Sequence, residues 1–133
     1  MNQDVRVRIL TTKGVARFVR RERISDASLV EAVKRAERGI IDADLGGGLI
    51  KQRVARPGQG RSGGFRMIVA YREAGRAVFL YGFAKSDLDN IDDDALQALR
   101  VIGANWLAAK AGIVTQAIDE GELKEIDHDD NNA

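Results

Sequence analysis

The stretch FRMIVAYR, residues 65–72, and the stretch AVFLYGFA, residues 77–84, decide the fold. In the first stretch the side chains alternate between two faces, which is typical of a β-strand. The second is almost wholly apolar, which predicts a strand in the middle of a sheet. The polar break between them, Glu73–Arg76, predicts a hairpin loop, so the two strands pair antiparallel.

Further strands and helices are predicted on either side of this pair. Alternation predicts strands over residues 5–10 and 49–55, and helical spacing predicts helices over residues 13–23 and 25–39. A third helix begins at Asp92–Asp94, because negative charge is favourable in the first turn of a helix. The fold class is therefore α+β: a small antiparallel sheet of three to five strands, packed against two N-terminal helices and one C-terminal helix.

Two further segments have a predicted place in this arrangement. The glycine-rich segment Asp44–Leu49 predicts a loop or a tight turn. The third helix is expected to pack on the sheet through one apolar face. That face consists of Leu96, Leu99, Ile102, Gly103 and Trp106, and Trp106 is expected in the core.

The C-terminal end is predicted as an acidic extension, residues 112–133, of a single domain over residues 1–111. Within the extension, Val114–Ile118 predicts a helical turn and Glu122–Ile126 predicts an edge strand. From Asp127 onward the polar composition predicts no fixed structure.

Composition excludes several classes of chemistry. The 133 residues contain no cysteine, so disulfides, thiolate catalysis and cysteine-ligated zinc are excluded. The single histidine, His128, lies in the acidic tail, which leaves no Ser-His-Asp triad or two-histidine metal site. Neither a P-loop nor a dinucleotide fingerprint is present, so no cofactor is expected. The absence of a signal peptide and of a membrane span predicts a cytoplasmic protein with no membrane partner.

The net charge of +1 conceals an uneven distribution. Residues 51–85 hold eight basic residues and a single acid, Glu73, whereas residues 86–133 hold three basic residues and twelve acids. A basic block of this kind is typical of a protein that binds a polyanion such as a nucleic acid.

The cations of this block could serve RNA cleavage by the substrate's own 2′-hydroxyl group. That reaction needs cations around the phosphate and groups that transfer protons. Arginine supplies the first need, and a lysine or a tyrosine must supply the second, because no histidine is usable here. RNA binding alone needs only the phosphate contacts, so both possibilities stay open. The cations are Lys51 and Arg53 on one strand face, Arg56 and Arg61 around a glycine-rich turn, Arg66, and Lys85.

Two segments resemble the signature of the RelE/HigB toxin superfamily. They are KQRVARPGQGRSGGFR, residues 51–66, and FLYGFAKSDLDNI, residues 79–91, and the similarity extends over residues 13–109. The resemblance implies the toxin of a bacterial type II toxin–antitoxin pair, with a small antiparallel sheet backed by helices. It also implies cleavage of messenger RNA in the ribosomal A site, contact with ribosomal RNA, and a cognate antitoxin that is often a helix-turn-helix protein.

The resemblance also implies roles for individual residues. Gly64-Phe65-Arg66 matches the family element that places a phosphate-stabilising arginine, so Arg66 is the first catalytic candidate. Lys85 matches an element for proton transfer or phosphate binding and is the second. The RNA-binding candidates are Lys51, Arg53, Arg56 and Arg61. Several relatives use a C-terminal tyrosine or histidine that has no counterpart here, which leaves the general acid and base unassigned.

Two other functions remain compatible with the sequence. One is inhibition of DNA gyrase by protein contact, as in the ParE branch of the same fold, and the other is an RNA-binding module without activity. The aromatic residues Tyr81 and Phe83 are expected to pack in the sheet. His128 is expected to have no role.

Overall fold

The structure is a computed structural model that describes residues 7–56, 58, 64–84 and 91–128. These residues form six strands and four helices. In chain order the elements are β1 (Arg8–Thr12), α1 (Lys13–Glu22), α2 (Asp26–Glu37), β2 (Ala43–Gly46), β3 (Leu49–Val54), β4 (Phe65–Arg72), β5 (Arg76–Ala84), α3 (Asp93–Ala108), α4 (Ala111–Asp119) and β6 (Leu123–Ile126).

The strands form one mixed sheet in the order β2-β3-β4-β5-β1-β6. Strands β3, β4 and β5 pair antiparallel, as predicted for the sheet, whereas β1 pairs parallel with β5, from Arg8 opposite Arg76 to Thr11 opposite Phe79. The predicted α+β class is confirmed. The sheet has one strand more than the predicted maximum of five. It is also not purely antiparallel, because β1 lies between β5 and β6 and pairs parallel with β5.

Helices cover both faces of the sheet, and the alternation in β4 shows how. Phe65, Met67 and Val69 point into a core shared with α1 and α2, while Ile68 and Ala70 point into a second core shared with α3 and α4. At about 25 cal/mol per Å² of apolar surface removed from water, these two cores supply most of the stabilisation of the sheet.

Local signals position the first two helices. The side chain of Thr12 accepts a hydrogen bond from the N–H of Val15 and begins α1, directly after β1 ends. Ser25 accepts a hydrogen bond from the N–H of Ser28 and begins α2, as predicted. Arg23, between the helices, has a left-handed backbone with φ +60°, which makes the turn from α1 to α2 tight.

Helix α3 packs on the sheet at one small residue and is anchored at its end. A Cβ atom at Gly103 would lie 2.9 Å from the Cβ of Ala70, so glycine permits the close approach. At the end of α3, the buried Arg76 donates hydrogen bonds to the carbonyl groups of Trp106 and Ala109, 2.6 and 2.8 Å away. The prediction for Ile102 is wrong: this side chain is 43% exposed, because Ile102 lies on a different side of the helix from Gly103, which faces the sheet.

Other segments differ from their predictions in length or type. Residues 43–46, predicted in part as a loop, form β2 because they pair with β3, while Gly47 and Gly48 make the turn with positive φ. The predicted helical turn is the longer helix α4, which buries Val114 and Ala117. The predicted edge strand is confirmed as β6, which pairs with β1.

Candidate nucleic-acid interface

Arg53 and Arg66, here called the arginine pair, lie directly opposite each other on β3 and β4. Their side chains project from the face of the sheet that α3 and α4 cover further along, since both positions alternate with residues of the opposite core. Directly opposed side chains have Cβ atoms about 5 Å apart, and two like charges at that distance destabilise a sheet. An anion bound between the two guanidinium groups would remove this repulsion.

The arginine pair retains unused hydrogen-bond donors. Nε of Arg53 and Nη1 of Arg66 are buried, and neither has a hydrogen-bond partner in the described part of the chain. The large majority of buried polar side-chain atoms in proteins are paired, and an unpaired one costs about 1–3 kcal/mol. Two such donors on neighbouring guanidinium groups therefore indicate a site for a ligand with acceptor oxygens, such as a phosphate.

Asp42 holds one member of the pair in position. Its carboxylate accepts a hydrogen bond from the N–H of Arg53 at 2.7 Å and forms ion pairs with the guanidinium groups of Arg53 and Arg35, each at 3.2 Å. Burial by itself raises the pKa of Asp42, but the hydrogen bonds from Arg53 and Arg35 outweigh it, and the pKa lies below its ordinary value. Asp42 is thus an anion that compensates Arg53.

Arg66 has no corresponding acidic partner among the described residues. On β5 its direct neighbour is Phe83, an apolar side chain. The charge of Arg66 is therefore the less compensated of the two, which makes it the stronger candidate for contact with a negatively charged substrate.

Gly64 lets β3 and β4 approach each other beside the arginine pair. A Cβ atom at this position would lie 2.1 Å from the carbonyl oxygen of Val54 and 2.9 Å from the backbone nitrogen of Arg56. Both neighbours are backbone atoms that have little freedom to move. The glycine of the Gly64-Phe65-Arg66 element is therefore required by the strand spacing at the point where Arg66 enters β4.

The predicted site residues fall into three groups. Lys51 lies on the same face as the arginine pair, opposite Ile68, and is half-buried. Arg56 lies on the α1 side of the sheet, where its guanidinium carbon is 4.6 Å from the centre of the Phe65 ring. Arg61 and Lys85 lie outside the described residues. The structure thus brings together Lys51, Arg53 and Arg66, and it separates Arg56 from them.

Comparison with protein families identifies the group to which this chain belongs. The sequence model for the RelE toxin of the RelE/RelB toxin–antitoxin system matches residues 7–126. The chain belongs to the RelE toxin family. The predicted membership in this family is confirmed, and it implies a cognate antitoxin as partner. No curated protein matches the chain.

Three residues that position the interface of this RelE-family chain escaped the sequence analysis: Asp42, Arg35 and Gln52. Buried Gln52 donates to the carbonyl group of Ala32 at 2.9 Å and accepts from the N–H of Asp42 at 2.8 Å. Buried Arg35 donates to Glu31 at 2.9 Å and to the carbonyl group of Arg53. A polar residue at an inward position, Gln52 between Ile50 and Val54, was the available signal.

The aromatic residues of β5 in this RelE-family chain differ in exposure. Phe83 is buried in the core with α3, as predicted, whereas Tyr81 is 41% exposed and its ring centre lies 5.9 Å from that of Phe83. The Nε2 atom of His128, in the tail, lies 3.0 Å from the carbonyl oxygen of Val7 and belongs to neither strand of the arginine pair.

The described ranges of this RelE-family chain contain neither a metal-binding cluster nor a membrane-spanning helix. Over the described ranges, no group of three or more His, Cys, Asp or Glu side chains is arranged to hold a metal ion. In the same ranges, no helix is both long and apolar enough to cross a membrane.

Proposed function

We propose that this RelE-family toxin is a ribosome-dependent endoribonuclease that cleaves messenger RNA. The observation that supports this proposal best is the arginine pair, in which Arg53 Nε and Arg66 Nη1 are buried donors without a described partner. Such donors match the oxygens of a phosphodiester, and their fixed position suits the charge that develops during its cleavage.

The reaction we propose is attack by the substrate's own 2′-hydroxyl group. Its oxygen forms a new bond to the neighbouring phosphorus as its proton leaves, the bond from phosphorus to the 5′-oxygen breaks, and that oxygen takes up a proton. The products are a 2′,3′-cyclic phosphate and a 5′-hydroxyl end. The protein has to align the attacking oxygen, stabilise the negative charge on the pentacoordinate phosphorus and transfer protons.

The described residues have distinct parts in this scheme. Arg66 binds the scissile phosphate directly, since its Nη1 is a buried donor without a partner in the described part of the chain. Arg53, oriented by Asp42, binds the same phosphate from β3, and Lys51 contacts the adjacent nucleotide on the same face. Arg56 contacts RNA from the α1 side of the sheet. We assign Lys85 to proton transfer and Arg61 to RNA contact on the basis of the family resemblance alone.

The charges on α1 support contact with ribosomal RNA beside the substrate. Arg17, Arg20 and Arg21 are exposed on this helix, and Arg23 follows it. A polyanion as large as the ribosome attracts such a surface over several ångströms, and this attraction weakens with added salt. We therefore propose that α1 helps to orient the toxin on the ribosome, and that the antitoxin keeps the toxin from it.

The test uses purified ribosomes that translate a defined message, with the RNA ends mapped after addition of the toxin. We expect cuts within the translated region, with 5′-hydroxyl and 2′,3′-cyclic phosphate ends, and no cuts in the absence of ribosomes. Arg66→Ala should lower the cleavage rate by a factor on the order of 10²–10³, as the removal of one preorganised donor does elsewhere. Arg38→Ala is the matched control, because it removes the same charge at an exposed residue that ends α2.

Other results would contradict this function. Intact messages together with a block of DNA supercoiling by gyrase would favour the gyrase inhibitor. Intact messages and unaffected gyrase, with RNA still bound, would favour a binding module without activity. Equal loss of activity in Arg66→Ala and Arg38→Ala would show that only the total charge matters.

A further inference from the structure

A groove with a volume of about 460 Å³ runs between α1 and the outer side of β5. We call it the α1–β5 groove. The residues that line it include Arg17, Phe18 and Arg21 from the helix and Tyr81, Gly82 and Phe83 from the strand. The β1–β5 ladder ends at the pair Thr11–Phe79, so beyond Phe79 this side of β5 has no strand partner in the described part of the chain.

The side chains along the groove are of the types that stack on nucleobases in other proteins. Among the described residues, Tyr81 is the only aromatic one in the set of exposed large apolar side chains. The guanidinium carbon of Arg21 lies 5.4 Å above the Phe18 ring, which itself packs edge-on against Phe65 with ring centres 5.4 Å apart. Exposed aromatic rings and guanidinium planes stack on bases of single-stranded RNA, largely irrespective of sequence.

The groove lies close to the arginine pair. Phe83 is directly opposite Arg66 across the β4–β5 ladder, and Tyr81 is two residues along the same strand. A diagonal pair of this kind has a separation of about 7–8 Å. An RNA strand can therefore place a phosphate at Arg66 and the base next to that phosphate at Tyr81.

We propose that the α1–β5 groove is a nucleobase subsite, in which a base adjacent to the bound phosphate stacks on Tyr81 beside Arg17 and Arg21. This inference rests on the proposed function, because it takes the phosphate at the arginine pair as its reference point. An extended peptide could also pair with the free side of β5. The exposed ring and the two arginines favour a base, since a peptide strand would need neither.

The first experiment measures binding without cleavage. The full chain is titrated with a short 2′-O-methyl oligoribonucleotide, which cannot supply the attacking oxygen, and with copies that lack one base at each position in turn. Loss of the base that occupies the groove should weaken binding on the order of tenfold, the typical effect of one base–aromatic stack. The amide NMR signals of Gly82 and Phe83 should move with the intact oligonucleotide and not with that abasic copy.

Variants connect this effect to Tyr81. Tyr81→Ala should bind intact and abasic oligonucleotides equally, whereas Tyr81→Phe should keep the difference because the ring remains. Ile102→Ala, at an exposed apolar residue of α3, is the control and should behave as the wild type. Tyr81→Ala that retains the full difference would overturn the subsite, and so would a Tyr81→Ala variant that binds RNA normally but loses affinity for the antitoxin.

The ribosome assay separates this inference from the proposed function. Binding that depends on a base and on Tyr81, but without cleavage of translated messages, would retain the subsite and reject the nuclease. Cleavage at unchanged positions and rates by Tyr81→Ala would retain the nuclease and reject the subsite.

Discussion

The carboxylate of Asp42 contacts Arg53 at two points, since it accepts a hydrogen bond from the backbone N–H at 2.7 Å and pairs with the guanidinium group at 3.2 Å. One anion thereby fixes both the strand position and the side chain of a residue in the arginine pair. The same carboxylate pairs with the buried Arg35 of α2, so the interface is tied to the helical layer behind β3.

Asp42→Asn tests this connection through stability. The change leaves Arg35 and Arg53 without their anion, and we expect the free energy of unfolding at pH 7 to fall by about 1–3 kcal/mol. Because the pKa of Asp42 is lowered in the folded state, its contribution is complete at neutral pH and is lost as the pH falls through the folded-state pKa. Denaturant unfolding at pH 7 and at acidic pH measures this. The difference between the wild type and Asp42→Asn should shrink as the pH falls, and a constant difference would contradict the assignment.

Arg66→Met should separate stability from activity. The variant removes an unpartnered buried donor and the repulsion from Arg53. We therefore expect the free energy of unfolding to stay within about 0.5 kcal/mol of the wild-type value or to increase. Cleavage in the ribosome assay should fall at least about 100-fold. Arg66→Lys keeps the charge but loses the planar donor fork, so its cleavage rate should lie between those of the wild type and Arg66→Met. A strongly destabilised Arg66→Met would indicate a structural role instead.

Gly64→Ala should disturb the arginine pair through the backbone. The added Cβ would meet the carbonyl oxygen of Val54 at 2.1 Å, so β3 and β4 must separate locally. We expect a loss of about 1–3 kcal/mol in stability, typical of overpacking, together with weaker RNA binding. Gly112→Ala is the matched control, because a Cβ at that helical position has open space and should be neutral or stabilising. Equal stability of the two variants would refute the close approach at Gly64.

Arg76→Met should weaken the attachment of α3. The buried side chain donates to the carbonyl groups of Trp106 and Ala109, and methionine leaves both without this donor. We expect the free energy of unfolding to fall by about 2–3 kcal/mol and hydrogen exchange in the last turn of α3 to accelerate. Arg72→Met, whose side chain is exposed and donates to the carbonyl group of Leu107, should cost less than about 1 kcal/mol. A larger loss in Arg72→Met than in Arg76→Met would contradict this ranking.

Local sequence patterns predicted those elements whose side chains alternate or repeat strongly. Strand β4 has the predicted bounds, 65–72, because its alternating side chains meet a different core on each face. Strand β2 was missed because Asp44 and Gly46 disfavour a strand locally and only pairing with β3 makes one. The parallel pairing of β1 with β5 joins segments that are distant in the chain, so periodicity contains no sign of it.

The site was predicted as a set of residue types rather than as a geometry. Lys51 and Arg53 share a face because they are two residues apart on one strand, and that follows from sequence. The position of Arg66 opposite Arg53 depends on the register between β3 and β4, which the sequence leaves undetermined. Arg56 was grouped with these cations, but its side chain follows Phe65 to the other side of the sheet.

The place of β1 in the sheet has a consequence for synthesis of the chain. This strand is translated first, yet its two neighbours, β5 and β6, come from the second half of the sequence, and Arg8 finds its carboxylate partner only at Glu125. A nascent chain therefore keeps one edge of β1 bare until β5, which ends at Ala84, has left the exit tunnel, and the other edge bare until β6, which ends at Ile126, has left it. Any prematurely terminated product that stops short of Leu123 exposes one of those edges, and such fragments should be rapidly degraded or aggregate.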